Sequence, residues 1–260
     1  MLELYHWEPN IHFLKPLVAL EEAQVPFTAR YFDPTSFEQF SPSFPQNTES
    51  ALQLEREGPV LVDGVTVLSS SFFLLEYIAD AYPAANLYPG GSYDNYRARA
   101  WGQFTALQLA PIVCALGSAR YLAPILKSRE PGLVQAHIER IEPVERRAAW
   151  QAVVQGLSPS TLEGARMRLA AILKRYEDAL PAGGWLAGSR YSIADIDAYA
   201  MLDPLTDLAP EALHERATPR ILEFLSRVRA RKAVQAALAR TRTGKPREAY
   251  VPGAEPSRWG

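Results

Sequence analysis

The chain of 260 residues holds one cysteine, Cys114. An internal disulfide is excluded, and nothing in the thiol usage argues against a reducing cytoplasm. The neighbours of Cys114, in Ala110-Pro111-Ile112-Val113 and Ala115-Leu116, are apolar, so it reads as a buried structural thiol. Histidine is also scarce. His6, His12, His137 and His214 are scattered without ligand spacing, so no metal site is expected. Charge of one sign is lacking too. A formal net charge of −2 gives no pull toward nucleic acid or an anionic membrane. No run of about 18 apolar residues stands out as a membrane span, and the N-terminus lacks the charged and apolar regions of a secretion signal. What remains is an ordinary chain with 48% hydrophobic residues, expected in the cytoplasm and long enough for two domains.

What is present changes character near residue 85. Before it, strand and helix signals alternate. Leu2 to Trp7 reads as a buried strand, and Leu14, Leu17, Val18 and Leu20 have helical spacing. Phe27 to Asp33 alternates like a strand. Two β-branched runs around Asp63-Gly64 predict a hairpin. Ser69-Ser70-Ser71 then opens a helix that stops before Pro83. After residue 85 only helices are predicted: Tyr93 to Ser118, Gly132 to Ile141, Val144 to Gly156, Ser160 to Leu180, Ser192 to Leu202 and Pro219 to Leu238.

Polar chemistry concentrates at element ends. Glu8-Pro9-Asn10-Ile11-His12-Phe13 joins the first strand to the first helix, where open N–H groups suit an anion or thiolate. Asn10 and His12 carry side-chain donors and Phe13 carries none. Gly58-Pro59-Val60 leads into the hairpin. Ser192 and Asp195 have capping-box spacing, a structural feature worth about 1 kcal/mol. Most aromatics after residue 85, including Tyr96, Trp101, Phe104 and Tyr199, read as core. Arg97 and Arg99, with Asp94 nearby, read as a solvated face.

The β-α-β then β-β-α order, the Gly58-Pro59-Val60 turn, Ser70-Ser71 and the Ser192–Asp195 box together resemble the soluble glutathione S-transferase family. More narrowly, Leu14 to Leu20 (LKPLVAL), Phe32 to Phe40 and Ile141 to Pro159 are similar to bacterial glutathione-dependent β-etherases, which cleave lignin-derived aryl ethers. The resemblance covers nearly all of residues 1 to 240. It implies an α+β, thioredoxin-like glutathione-binding domain over 1–84 and an all-α domain over 91–240. The tail, 241–260, is left as either draped or disordered. Glutathione is implied as co-substrate, an aromatic ether as second substrate, and a homodimer or a heterodimer with a related subunit as the assembly. No metal, nucleic acid or membrane partner is implied.

The resemblance also assigns residues. Pro59 would follow a cis bond, and Phe13, Gly58, Pro59, Val60, Ser70 and Ser71 would hold the tripeptide. Its γ-glutamyl carboxylate would lie at the Ser70-Ser71 helix start. His12 and Asn10 are the candidate catalytic donors, with the N–H groups of Phe13 and Leu14 as further candidates. Trp7, Phe13, Tyr121 and Trp150 would wall an aromatic slot. Three departures stand out. β-Etherase relatives carry Asn-Ser where this chain has His12-Phe13. The family carries an acid where this chain has Ser70. The usual approach to Pro59 is replaced by Gln53 to Gly58, behind an insertion at Ser41 to Ala51. Two functions follow: a glutathione-dependent β-etherase, or a weakly active subunit that dimerises with an active relative.

Overall fold

The computed structural model describes residues 1–46, 48 and 58–253. Most of the segment that departs from the family before Pro59 lies outside the described residues.

Strands β1 (Leu2–His6), β2 (Thr28–Tyr31), β3 (Val60–Asp63) and β4 (Thr66–Ser69) form one sheet in the order β2-β1-β3-β4. β1 runs parallel to β2 and antiparallel to β3, and β3 and β4 pair through Asp63↔Thr66. The hairpin loop is Gly64-Val65, with Gly64 at φ +61° in its first position, where glycine carries no Cβ penalty. Helix α1 (Ile11–Ala23) joins β1 to β2 and buries Ile11, Phe13, Leu14 and Leu17 to Leu20. It packs on α2 (Ser71–Ala81), which stops ahead of Pro83. This is the mixed-sheet N-terminal unit expected from the strand and helix order.

The helical region begins with α3 (Ser92–Phe104), α4 (Ala110–Gly117) and α5 (Ala123–Lys127). Two π-turns, Thr105–Leu109 and Ser118–Leu122, join them into one segment. Pro111 and Pro124 follow those turns. Each lacks an N–H, and widening the preceding turn relieves the clash a proline brings to a helix. The helix therefore outruns the predicted end at Ser118. By length and composition Ser92–Lys127 could cross a membrane, which corrects the expectation that no such run exists. Its apolar window is 72% buried inside the protein, so that hydropathy serves the core.

Helices α6 (Pro131–Glu139), α7 (Val144–Gln155) and α8 (Pro159–Ala179) follow. Then come α9 (Ile193–Leu202), α10 (Leu205–Leu208), α11 (Pro219–Arg229) and α12 (Lys232–Leu238). The predicted Pro219 to Leu238 helix is thus two helices, broken at Ala230-Arg231. The capping box forms as predicted: Asp195 accepts from Ser192 N–H at 2.9 Å and also from Leu186 N–H at 2.9 Å. Burial lifts the Asp195 carboxyl to about 6, although those bonds oppose the shift.

Among the contacts that join the two halves, two bear on the start of α1. Lys15 of α1 meets Asp197 of α9 at 2.6 Å, with side chains 2% and 1% exposed. After α12 the chain turns back across the junction. Thr241, Arg242 and Thr243 bind Glu8, and Ala249, Tyr250 and Val251 are buried. The segment from 241 to 253 is therefore draped, and residues 254–260 lie outside the described residues.

Candidate active site

The β1–α1 connection is held tightly. Asn10 N–H bonds Glu8 O at 2.7 Å, and the Asn10 carbonyl accepts from Phe13 N–H at 3.0 Å and Leu14 N–H at 3.3 Å. The expected backbone donors, Phe13 and Leu14, are thereby engaged inside the loop. The N–H groups of Ile11 and His12 remain among those a helix start leaves without an intrahelical partner. Ile11 has φ +40°, a conformation that a β-branched residue adopts only where its surroundings force it.

His12 projects from this strained start. Its Nδ1 lies 3.1 Å from Ser71 Oγ and its Nε2 lies 3.6 Å from Cys114 Sγ. Burial, with the charges of Lys15 and Arg146, holds its pKa well below the ordinary imidazole range. His12 is therefore neutral near pH 7, with one ring N–H to donate. Cys114 is buried, as its apolar neighbours predict, yet its sulfur faces the candidate donor. That proximity was not readable from the sequence.

Ser71 opens α2, and Ser70 before it has φ +75° with no side-chain capping bond. Strained non-glycine residues thus flank the His12–Ser71 contact on both sides. The third expected segment joins them. The Gly58–Pro59 bond is cis, and Gly58 lies against Phe13 and Phe32. Gly58 has φ +82°, and a Cβ there would lie 2.7 Å from Phe32 Cζ and 2.8 Å from Phe13 Cε1. Gly58→Ala is expected to cost about 2 kcal/mol or more, because both backbone and rings must shift. Denaturant unfolding checks this; an unchanged midpoint contradicts it.

The opening loop, the Gly58–Pro59 turn and Ser70-Ser71 therefore converge. Val60 begins β3 beside β1, paired with Tyr5. Other placements correct the expected slot. Phe13 has 0% exposure and packs edge-on to Trp7 and Phe32, so it is core and cannot wall a substrate. Trp7 belongs to the same cluster. Trp150 is fully buried in a separate core with Phe37 and Ile138. Both were expected on a cleft because aromatic side chains suit ring stacking, but here their large apolar area fills cores.

Tyr121 and Asn10 do line a cavity, of about 400 Å³, together with Leu14, Pro204, Leu238 and Arg247. Tyr121 Oη donates to Asp207 Oδ2, and its ring stacks on Tyr250 at 5.8 Å. Asn10 Nδ2 donates to Ala249 O at 3.0 Å, so the tail forms one side of this region. No sequence signal marked Tyr250, which lies in a stretch without periodicity.

The geometry can be set beside known proteins. A family model described as "Glutathione S-transferase, C-terminal domain" matches residues 161–241. Protein LigF of Sphingobium sp. strain SYK-6 is 25% identical over 240 residues, which span 90% of this chain and 91% of LigF. The crystal structure of β-etherase LigF from that strain superposes with a TM-score of 0.83 at 24% identity, covering 92% of this chain and 99% of that one. A glutathione transferase structure from Methylococcus capsulatus is 27% identical, with a TM-score of 0.60 and coverage of 92% and 98%. The mixed sheet with its helical partner, the matched C-terminal region and the end-to-end likeness to LigF make the chain similar to the glutathione S-transferase family over its fold, and to the β-etherase LigF along nearly its whole length.

Proposed function

We propose that the protein is a glutathione-dependent transferase that cleaves β-aryl ethers of lignin-type aromatic ketones. The observation that carries this reading is the meeting of His12 with Ser71 at 3.1 Å, beside the cis Gly58–Pro59 turn. In this reading the tripeptide pairs with the backbone at that turn, and its carboxylate lies at the start of α2. A glutathione thiol at its ordinary pKa of about 8.5 is mostly protonated near pH 7. Donors at the head of α1 favour the thiolate. The thiolate sulfur attacks the carbon that bears the aryl ether, next to the ketone. A carbon–sulfur bond forms, the carbon–oxygen bond breaks, and its electron pair leaves on the phenolate oxygen. Phenols ionise near 10, so the leaving group needs little acid assistance. A cavity of about 400 Å³ beside Asn10 and Tyr121 has the volume of a small ligand site, and Asp203, Asp207, Arg229 and Arg247 give it a charged lining.

Purified protein with glutathione and an aryl-ether ketone should release the phenol. His12→Ala should lower kcat by about 10²-fold, the usual cost of one lost donor to a developing anion. An unchanged rate would remove His12 from the reaction. A second reading, the weakly active partner subunit, is favoured by the buried Phe13 ring and by a Ser71 hydroxyl already occupied by His12. Glutathione binding without turnover, with phenol release only after mixing with an active relative, would select it.

A further inference from the structure

The tail packs one side chain, Tyr250, beside Asn10 at the start of α1, and the proposed reaction leaves it without a role. Tyr250 is fully buried, and among the described residues its hydroxyl makes no hydrogen bond of ordinary geometry, the Asn10 amide being its polar neighbour. Buried hydroxyls seldom stay unpaired unless a water, ion or ligand completes them. The ring is seated with care. It stacks on Tyr121 at an interplanar angle of 6°, and it lies so close to Gly117 that a Cβ there would come within 2.1 Å of it. The flanking backbone is pinned on both sides: Ala249 O by Asn10 Nδ2 at 3.0 Å, and Val251 O by Ser118 Oγ at 3.3 Å. The hydroxyl lies beside the Asn10 amide and close to Cys114, whose sulfur touches His12. A neutral donor from the far end of the chain thus stands with the two candidate donors of the α1 start.

We propose that Tyr250 is a catalytic residue: its hydroxyl donates a hydrogen bond to the glutathione thiolate, in place of the side-chain donor absent at Phe13. The proposal rests on the glutathione-site reading above. Burial raises the phenol well above its ordinary range, so it stays protonated and can only donate to an anion. A hydrogen bond to a charged acceptor is worth about 10- to 100-fold in an equilibrium. The tail would then be part of the site, and the transferase would be incomplete without residues beyond 240.

The test titrates the thiol of bound glutathione by its ultraviolet thiolate absorbance and measures kcat/KM with an aryl-ether ketone. Tyr250→Phe keeps the ring and its stacking. It should raise the bound thiol pKa by about one unit and lower kcat/KM about tenfold at pH 7, with Tm little changed. Gly117→Ala improves helix propensity while displacing the Tyr250 ring, so it should raise the thiol pKa at least as much. An unchanged thiol pKa in either variant overturns the proposal. A lower Tm with an unchanged thiol pKa also overturns it, because Tyr250 would then only pack. If the wild-type protein binds glutathione and depresses its thiol pKa, failure of both variants removes Tyr250 alone. If the wild-type protein binds no glutathione, the site reading falls and Tyr250 falls with it.

Discussion

Lys15→Ala should destabilise the protein by about 3–5 kcal/mol, among the largest effects of any single change. The reason is what the substitution leaves behind. Lys15 Nζ lies 2.6 Å from Asp197 Oδ1, and both side chains are at most 2% exposed. Burial already raises the Asp197 carboxyl above its ordinary pKa, and Lys15 is the main opposing influence. Without the ammonium, Asp197 must either stay charged in an apolar interior or take up a proton. In the variant its folded-state pKa rises further above the unfolded value. The variant's loss is therefore smallest at acid pH, where Asp197 is protonated in both states, and it grows as pH rises through the carboxylate range.

A control separates the pair from its environment. Lys15→Met with Asp197→Leu removes both charges at similar volume and should recover most of the loss. Thermal unfolding reads this directly, since about 4 kcal/mol in a chain of this size moves Tm by roughly 10 °C. Lys15→Ala within 1 kcal/mol of wild type would contradict the argument. The pair also matters for chemistry. Lys15 lies one turn after His12 on α1 and ties that helix to α9. If the proposed glutathione site holds, the single variant should weaken glutathione binding, and the double variant should restore it.

How much of this was readable in advance follows from the range of each interaction. The β1, α1, β2, hairpin and α2 order rests on local periodicity and turn chemistry, and the structure reproduces it. The Ser192–Asp195 box is a contact across three residues and was equally legible. The meeting of His12, Gly58 and Ser71 came from the resemblance, because no spacing argument brings residues 59 apart to 3.1 Å. Phe13 was misread because a ring beside a candidate donor looks like a wall; the neighbouring Trp7 and Phe32 rings that bury it come from separate elements. Tyr250 was invisible. Its stretch is rich in Gly and Pro, and its partners Asn10, Gly117 and Ser118 neighbour it only in the folded chain. The Lys15–Asp197 pair was not legible, because the two residues neighbour each other only in the folded chain.

Glu8→Ala should release the tail. Glu8 is 1% exposed and its carboxylate takes four hydrogen bonds. The donors are Tyr31 Oη at 2.9 Å, the Thr241 hydroxyl, and the N–H groups of Arg242 at 2.9 Å and Thr243 at 3.0 Å. Burial alone would raise this carboxyl, but the bonds from Thr241, Arg242, Thr243 and Tyr31 outweigh it and hold the pKa below the ordinary value. His6, Arg240 and Arg242 carry the other titratable or charged groups gathered here. Removing the carboxylate leaves two tail N–H groups without their acceptor, at about 1–3 kcal/mol each where water cannot reach them. Hydrogen exchange over residues 241–253 should accelerate at least tenfold, while β1 to α2 stay protected. The pH dependence has a fixed sign. Because the folded-state pKa lies below the unfolded value of 4.5, this anchor is complete above that pH and is lost as pH falls through the folded value. Wild-type tail protection, referred to the intrinsic exchange rate at each pH, should therefore fall in acid, and Glu8→Ala should flatten that dependence. Tail protection that is unchanged in Glu8→Ala, or that grows as pH falls, would mean that residues 241–253 are held by something other than this carboxylate.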